Sequence, residues 1–189
     1  MKLHSKVDFT VITASKNSSD TIPDCIASVK NQIKVKVQHL VFDSASNDGI
    51  EQVINSNQWN GLSAFIEPDS GIYNAWNKAL KLVKGEWVVF LGSDDIFYDN
   101  NVLYNVKNKI KESPDFYLHY GKVRKERVDG ELIGIYGHEF YKYQDMLDPP
   151  TKKFPPHPAI FFHNSLFKNY PVFDESFKIC ADSLHLAIL

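Results

Sequence analysis

Short apolar runs alternate with amphipathic stretches through the first half of the chain. Phe9-Thr10-Val11-Ile12-Thr13-Ala14 is rich in β-branched residues and bounded by polar ones, the pattern of a buried strand. The segment Asn17-Ser18-Ser19-Asp20-Thr21 then offers several side-chain oxygens suited to a helix N-cap, and Pro23 suits a first helical turn. Ile22, Ile26 and Val29 share one face of a helix expected to end near Gln32. Further strands are predicted from Gln38 to Asp43, Leu62 to Ile66 and Glu86 to Leu91. Helices are predicted between them, from Ile50 to Ser56 and from Ile72 to Val83, with Gly85 standing where a C-cap belongs. The near-continuous apolar run of the last strand predicts burial on both faces. Strands alternating with helices in this way predict a mostly parallel sheet covered by helices.

Beyond it the pattern changes. A helix from about Asn100 to Glu112 is stopped by Pro114, and Phe116 to Val123 and Lys125 to Tyr136 read as strands. Asp129-Gly130 is a strong hairpin-turn signal. Phe154-Pro155-Pro156-His157-Pro158 reads as a rigid loop, Ala159 to Phe162 as a short strand, and Ala181 as the start of a helix. No repeat or linker divides the 189 residues, a length that suits one domain at roughly 100–200 residues each.

A parallel sheet binds its ligand outside the carboxyl ends of the strands. Those ends carry Ser15-Lys16-Asn17, Asp43-Ser44, Glu67-Pro68-Asp69 and Gly92-Ser93-Asp94-Asp95. Asp43, Asp69, Asp94 and Asp95 therefore project toward one rim. Like charges so crowded are costly unless a cation or hydrogen-bond donors compensate them, which points to a metal or a donor-rich ligand.

Composition narrows the choice. Lys plus Arg number 21 against 23 Asp plus Glu, a formal charge of −2, without the basic excess of a nucleic-acid binder. The two cysteines, Cys25 and Cys180, form no C-x-x-C pair, and the seven histidines show no H-E-x-x-H spacing. The N-terminus lacks the apolar core of a signal peptide, and no run approaches the ~18 apolar residues of a membrane span. The expectation is a cytoplasmic protein, with docking at the inner face of the membrane left open.

Five segments carry a family resemblance. They are Val11-Ile12-Thr13-Ala14-Ser15-Lys16-Asn17; Val41-Phe42-Asp43-Ser44-Ala45-Ser46-Asn47-Asp48-Gly49; Glu67-Pro68-Asp69-Ser70-Gly71-Ile72-Tyr73-Asn74-Ala75-Trp76-Asn77-Lys78-Ala79; Gly85 through Asp95; and Phe173-Asp174-Glu175-Ser176 running to Ala181-Asp182. In this order and spacing they resemble family-2-type glycosyltransferases of the GT-A fold, bacterial enzymes of polysaccharide and O-antigen assembly. The resemblance implies an α/β, Rossmann-like, mostly parallel sheet with helices on both faces and a small antiparallel addition. It also implies a nucleotide-sugar-binding half over 1–98 and an acceptor-side half over 99–189. Relatives continue beyond the last segment, so a C-terminal truncation is expected, with the apolar ending Leu184, Leu186, Ile188, Leu189 docking on the core or on a partner.

The same resemblance implies an inverting transfer from a nucleotide-sugar donor, UDP-linked by expectation, to a saccharide or polyprenyl-linked acceptor. Asp95 would touch Mg2+ or Mn2+, while Asp94 would face the ribose or share the metal. Ala14, Ser15, Asn17, Asp43, Asp69, Asn77 and Lys78 are the remaining candidate donor contacts. Asp182 is the candidate general base, and His157 a candidate on the pyrophosphate or acceptor side. Ser44 stands where many relatives have a second acid, and Lys16 where they place an aromatic residue. Each candidate has an ordinary structural counterpart: Asp43 as a turn former, Asp94-Asp95 and Asp182 as helix caps, Lys78 as a solvated helix residue, His157 as a packed side chain, and Tyr73 and Trp76 as core. The basic cluster Lys122, Arg124, Lys125, Arg127 reads as a solvated strand face or as a contact with anionic lipid. The rival functions are a non-catalytic donor-binding or scaffold module and a nucleotidyltransferase, although the phosphate loop of the latter is missing after the first strand.

Overall fold

The computed structural model describes residues 6–137, 155–169 and 172–188. The first eight elements are β1 (Val7–Ser15), α1 (Ile22–Lys30), β2 (Val37–Asp43), α2 (Ile50–Ser56), β3 (Leu62–Ile66), α3 (Ile72–Leu80), β4 (Gly85–Phe90) and α4 (Val102–Glu112). After them come β5 (Leu118–Tyr120), β6 (Val123–Glu126), β7 (Leu132–Tyr136), a 3-10 turn over His157–Ala159, β8 (Ile160–His163), α5 (Leu166–Asn169) and α6 (Ala181–Ile188).

One sheet has the order β3-β2-β1-β4-β8-β5, and a separate sheet pairs β6 with β7. Its first four strands run parallel, whereas β8 is antiparallel to both β4 and β5. The register aligns Ser15 with Asp43 and Asp43 with Ile66. The carboxyl ends of β1, β2 and β3 therefore finish at one level.

Both faces of the sheet are apolar because both are covered. On β4, Trp87 and Val89, with Leu91 just beyond it, enter a core with α1, α2 and α4, while Val88 and Phe90 enter a second core with α3. The period of two along an otherwise continuous apolar strand is the consequence. On α1 the buried residues are Ile22, Cys25, Ile26 and Val29, a single helical stripe. The second core is strongly aromatic, with Phe90 at the centre of contacts to Trp76, Phe162, Phe167 and Phe173. Such rings contribute about 0.5–1.5 kcal/mol per pair beyond their buried area.

Several sequence expectations are corrected. Helix α3 stops at Leu80 rather than Val83, and Gly85 opens β4 instead of capping the helix. A Cβ on Gly85 would lie 2.4 Å from the Thr10 backbone nitrogen, so the glycine is required by the close approach of β4 to β1. The strand expected from Phe116 to Val123 is divided between two sheets. Leu118–Tyr120 pairs with β8, Gly121 donates its N–H to the Ala159 carbonyl at 2.8 Å, and Val123 already belongs to the hairpin. The hairpin turn lies at Asp129-Gly130 as expected, with Gly130 at φ +86° and its N–H on the Arg127 carbonyl. Within the hairpin Arg124 pairs with Glu126, and Arg127 with Glu131 at 3.2 Å.

Leu186 of α6 packs against the aromatic core. The side chains of Leu184, His185, Ile188 and Leu189, together with residues 1–5, His138 and Phe154, lie outside the described residues. Among the described residues no helix is long and apolar enough to cross a membrane.

Candidate functional site

The loops at the carboxyl ends of the strands are joined to one another by hydrogen bonds from short polar side chains. Asp43 is 1% exposed, and its carboxylate accepts the Ser46 backbone N–H at 2.7 Å and the Ser46 hydroxyl at 2.9 Å. The Ser46 oxygen in turn accepts the N–H of Asn17 at 2.7 Å, and Ser44 donates its N–H to the Ser15 carbonyl at 2.9 Å. Asp48 accepts the Ser19 N–H at 2.9 Å, the main reason its carboxyl is held below the usual range. Asp69 accepts the Ser44 hydroxyl at 3.0 Å and the Gly71 N–H at 2.9 Å, which ties the start of α3 to the end of β2. Asn17 and Ala45 adopt positive φ, at 51° and 48°, where the two loops meet. Ala14 lies opposite Phe42 in the ladder and packs toward the aromatic core. Ser15 is buried.

Two acids stand differently. Asp94 is exposed and Asp95 half-buried just past β4. A Cβ on Gly92 would lie 2.7 Å from Asp95 Oδ2 and 2.9 Å from Asp94 Oδ1, so both carboxylates crowd the same point. The Gly92 N–H donates to Asp95 Oδ2 at 3.2 Å. Burial, and then the Asp94 charge, push the Asp95 carboxyl above the usual range. An under-neutralised pair of this kind fits a hard divalent cation, which favours carboxylate oxygen and keeps water or phosphate as its other ligands. Among the described residues no group of three or more His, Cys, Asp or Glu side chains is placed to hold a metal ion.

Helix α3 organises the opposite side. The hydroxyl of Tyr73, in its first turn, donates to Asp182 Oδ1 at 3.2 Å and accepts the Ala181 N–H at 3.1 Å. One turn further, Asn77 clamps Phe173 through both backbone groups, at 3.1 and 2.9 Å, and donates to Glu175 Oε1 at 2.8 Å. Asn74 completes the hold on Glu175 at 2.8 Å. These amide donors, Asn77 first, keep the Glu175 carboxyl below its usual range. Asp182 thus sits in the first turn of α6, joined to the turn of α3 that Asp69 anchors.

The structure brings Asp43, Asp69, Asp94, Asp95 and Asp182 to the carboxyl rim of the sheet, but in unequal states. Asp43 and Asp69 are engaged by their own loops. Asn77 is buried and turned toward the segment 173–175. Lys78 is paired with Glu67 at 2.8 Å and with the Pro68 carbonyl at 3.1 Å, which closes the β3–α3 loop. His157 stacks on Trp76 with centroids 4.9 Å apart and joins the aromatic wall. Tyr73 and Trp76 are buried, as packing residues should be.

Sequence reasoning missed the buried polar chain beneath the acidic loop. His39 Nε2 lies 3.1 Å from the Thr13 hydroxyl, which lies 3.7 Å from the Cys25 sulfur, whose thiol donates to the Gly92 carbonyl at 3.4 Å. Burial pushes the Cys25 thiol up to about 12, so it remains protonated and a donor. These residues come from separate elements, and no local spacing signals their meeting. Gln32 is a second omission: it joins the end of α1 to the start of α4 through the Asp99 carbonyl and the Leu103 N–H.

Residues 10–170 match the sequence profile of glycosyl transferase family 2. A PGL/p-HBAD biosynthesis glycosyltransferase of Mycobacterium tuberculosis is 25% identical over 177 residues, covering 92% of this chain and 66% of that protein. S. aureus TarS 1-349, solved in complex with UDP-GlcNAc, superposes with a TM-score of 0.69 at 23% identity, covering 95% of this chain and 52% of that one. A mannosyltransferase from Pyrobaculum calidifontis, solved with GDP-Man and Mn2+, gives 0.67 at 19% identity over 96% of this chain and 51% of its own. The chain therefore spans about two thirds of the curated relative and about half of the solved chains. The shared architecture is the GT-A fold.

Proposed function

The chain belongs to glycosyl transferase family 2, and from that premise we propose that it transfers a sugar, with inversion, from a nucleotide-sugar donor to a hydroxyl of a saccharide or lipid-linked saccharide. A UDP-linked donor is the first choice. The loops after β1, β2 and β3 form the donor side, with Ala14, Ser15 and Asn17 offering backbone and short side chains at the rim. Asp43 and Asp69 act there by setting loop shape through Ser46, Ser44 and Gly71. Asn77 and Lys78 support the same side from within α3.

Asp95 and Asp94 are the residues that would hold Mg2+ or Mn2+, and a bound divalent cation supplies Lewis-acid neutralisation of the diphosphate leaving group. The carboxylate of Asp182 is the proposed general base. It takes the proton of the acceptor hydroxyl as that oxygen bonds to the anomeric carbon and the bond to the diphosphate oxygen breaks. It stands in the first turn of α6. His157, in the aromatic wall beside Trp76, belongs to the acceptor side in this scheme.

The observation that supports the reading most is the tie of Asp182 to the first turn of α3 through Tyr73, at 3.2 Å. This tie brings an acid distant in sequence to the rim that carries the β4 acids. The test is a thermal-shift and hydrolysis screen of UDP- and GDP-hexoses with and without Mn2+. The expected result is Mn2+-dependent stabilisation by one donor, lost in Asp95→Ala, and turnover sharply lowered but still measurable in Asp182→Asn with donor binding kept. A protein that binds a donor but never releases its sugar is a binding module, and full turnover by Asp182→Asn removes the base assignment.

A further inference from the structure

We infer that Tyr73 is a positioning residue for the base: its phenolic hydrogen holds Oδ1 of Asp182, leaving Oδ2 as the oxygen that receives the acceptor proton. This deepens the function proposed above and rests on Asp182 being the base.

The direction of the hydrogen bonds follows from the inventory of donors. A phenol has one proton. The Ala181 N–H can only donate, and it points at the Tyr73 oxygen at 3.1 Å. The phenol's own hydrogen is therefore free to point at Asp182 Oδ1, at 3.2 Å. Burial and the neighbouring Asp182 charge both raise the Tyr73 phenol above its usual range, so it stays protonated and remains a donor at neutral pH. Among the described residues no hydrogen bond reaches Asp182 Oδ2, in contrast to Asp43, where Ser46 engages both oxygens.

The ring cannot swing away. Tyr73 is 6% exposed, with Phe173 stacked at 5.8 Å and Trp76 edge-on at 5.5 Å. Asn77 fixes Phe173 from the next turn of the same helix. One rigid helix therefore sets both the start of the segment leading to α6 and the carboxylate at its end. In the transfer step the acceptor O–H proton passes to Asp182 Oδ2, the acceptor oxygen bonds to the anomeric carbon, and the electron pair of the broken bond leaves on the diphosphate. Tyr73 takes no proton in this step; it fixes which oxygen is presented and from what angle, the kind of alignment on which proton transfer depends.

The decisive variant is Tyr73→Phe, which keeps the ring in the aromatic core and deletes only the hydroxyl. Turnover is read with whichever UDP- or GDP-hexose the wild-type protein hydrolyses fastest, and donor-side binding with the matching nucleoside diphosphate and Mn2+ by calorimetry. The expected result is kcat lowered about tenfold or more, with KM for the donor and nucleotide affinity within about twofold. In an Asp182→Asn background the same change should alter turnover by less than about twofold, because its effect passes through the carboxylate. Unchanged kcat in Tyr73→Phe, or equal losses in both backgrounds, overturns the inference while leaving the base assignment standing. Full activity of Asp182→Asn alone overturns the base assignment instead. A fall in nucleotide affinity parallel to the fall in kcat assigns Tyr73 to packing only.

Discussion

The Thr13 hydroxyl lies 3.1 Å from His39 Nε2 in the interior of the parallel sheet, on neighbouring strands β1 and β2. His39 is wholly buried, and that burial lowers its pKa from 6.5 to about 3. The ring is therefore neutral in the folded protein through the mildly acidic range, whereas the unfolded chain takes up a proton below about pH 6.5. Stability linked to this residue is complete above pH 6.5 and falls as the pH drops toward 3. Between pH 7.5 and pH 5 the wild-type protein should lose about 2 kcal/mol more than His39→Gln. Urea unfolding at the two pH values checks this, and equal losses in both proteins contradict it.

Gly92→Ala should separate cation binding from folding. The added methyl group meets the outer atoms of Asp95 and Asp94 at 2.7 and 2.9 Å, so the carboxylates are displaced while the backbone has little reason to move. The expected outcome is a loss of roughly tenfold or more in affinity for Mn2+ with UDP, comparable to disturbing a metal's outer shell. The midpoint of thermal unfolding without ligand should change little. Calorimetry of the Mn2+ and UDP complex together with a melting curve decides the matter.

Asp43→Asn should act through the loop. The amide keeps one acceptor for Ser46 and presents an NH2 group where a second acceptor is needed. Losing a hydrogen bond to a charged acceptor costs about 1.5–3 kcal/mol. UDP affinity should fall with it, because Ser46 also holds Asn17. Ser46→Ala is the companion: a comparable fall in UDP affinity from that variant supports loop setting, and unaltered affinity points to Asp43 itself.

Asn77→Ala should be chiefly a stability lesion. Its amide holds Phe173 and Glu175 with three hydrogen bonds, two of them buried. A loss of about 3 kcal/mol in urea unfolding is expected, with UDP affinity within about twofold. Near wild-type stability combined with a large loss of UDP affinity would assign the amide to the nucleoside.

The sheet was legible because its cause is local. β-branched runs such as Phe9 to Ala14 and the polar loops between them announce strands and turns wherever they stand in the chain, and both predicted covering faces appear in the two apolar cores. Gly85 misled for the same reason. A glycine after a helix resembles a cap, but its need arose from Thr10, on a strand far away in sequence. The division of 116–123 between two sheets likewise depended on β8, which receives Leu118–Tyr120 as its antiparallel partner.

The amino-acid order alone determined the alternation of elements, and hence that acidic loop ends would gather at one rim, because side-chain periodicity and turn chemistry act over a few residues. Tertiary structure decided what each acid is doing. Asp43 is enclosed by Ser46, the charges of Asp94 and Asp95 converge over Gly92, and Asp182 is held by Tyr73, 109 positions away in the chain. Hydrogen bonds and charge repulsion act across about 3–4 Å of space, and that distance is set by packing rather than by sequence separation.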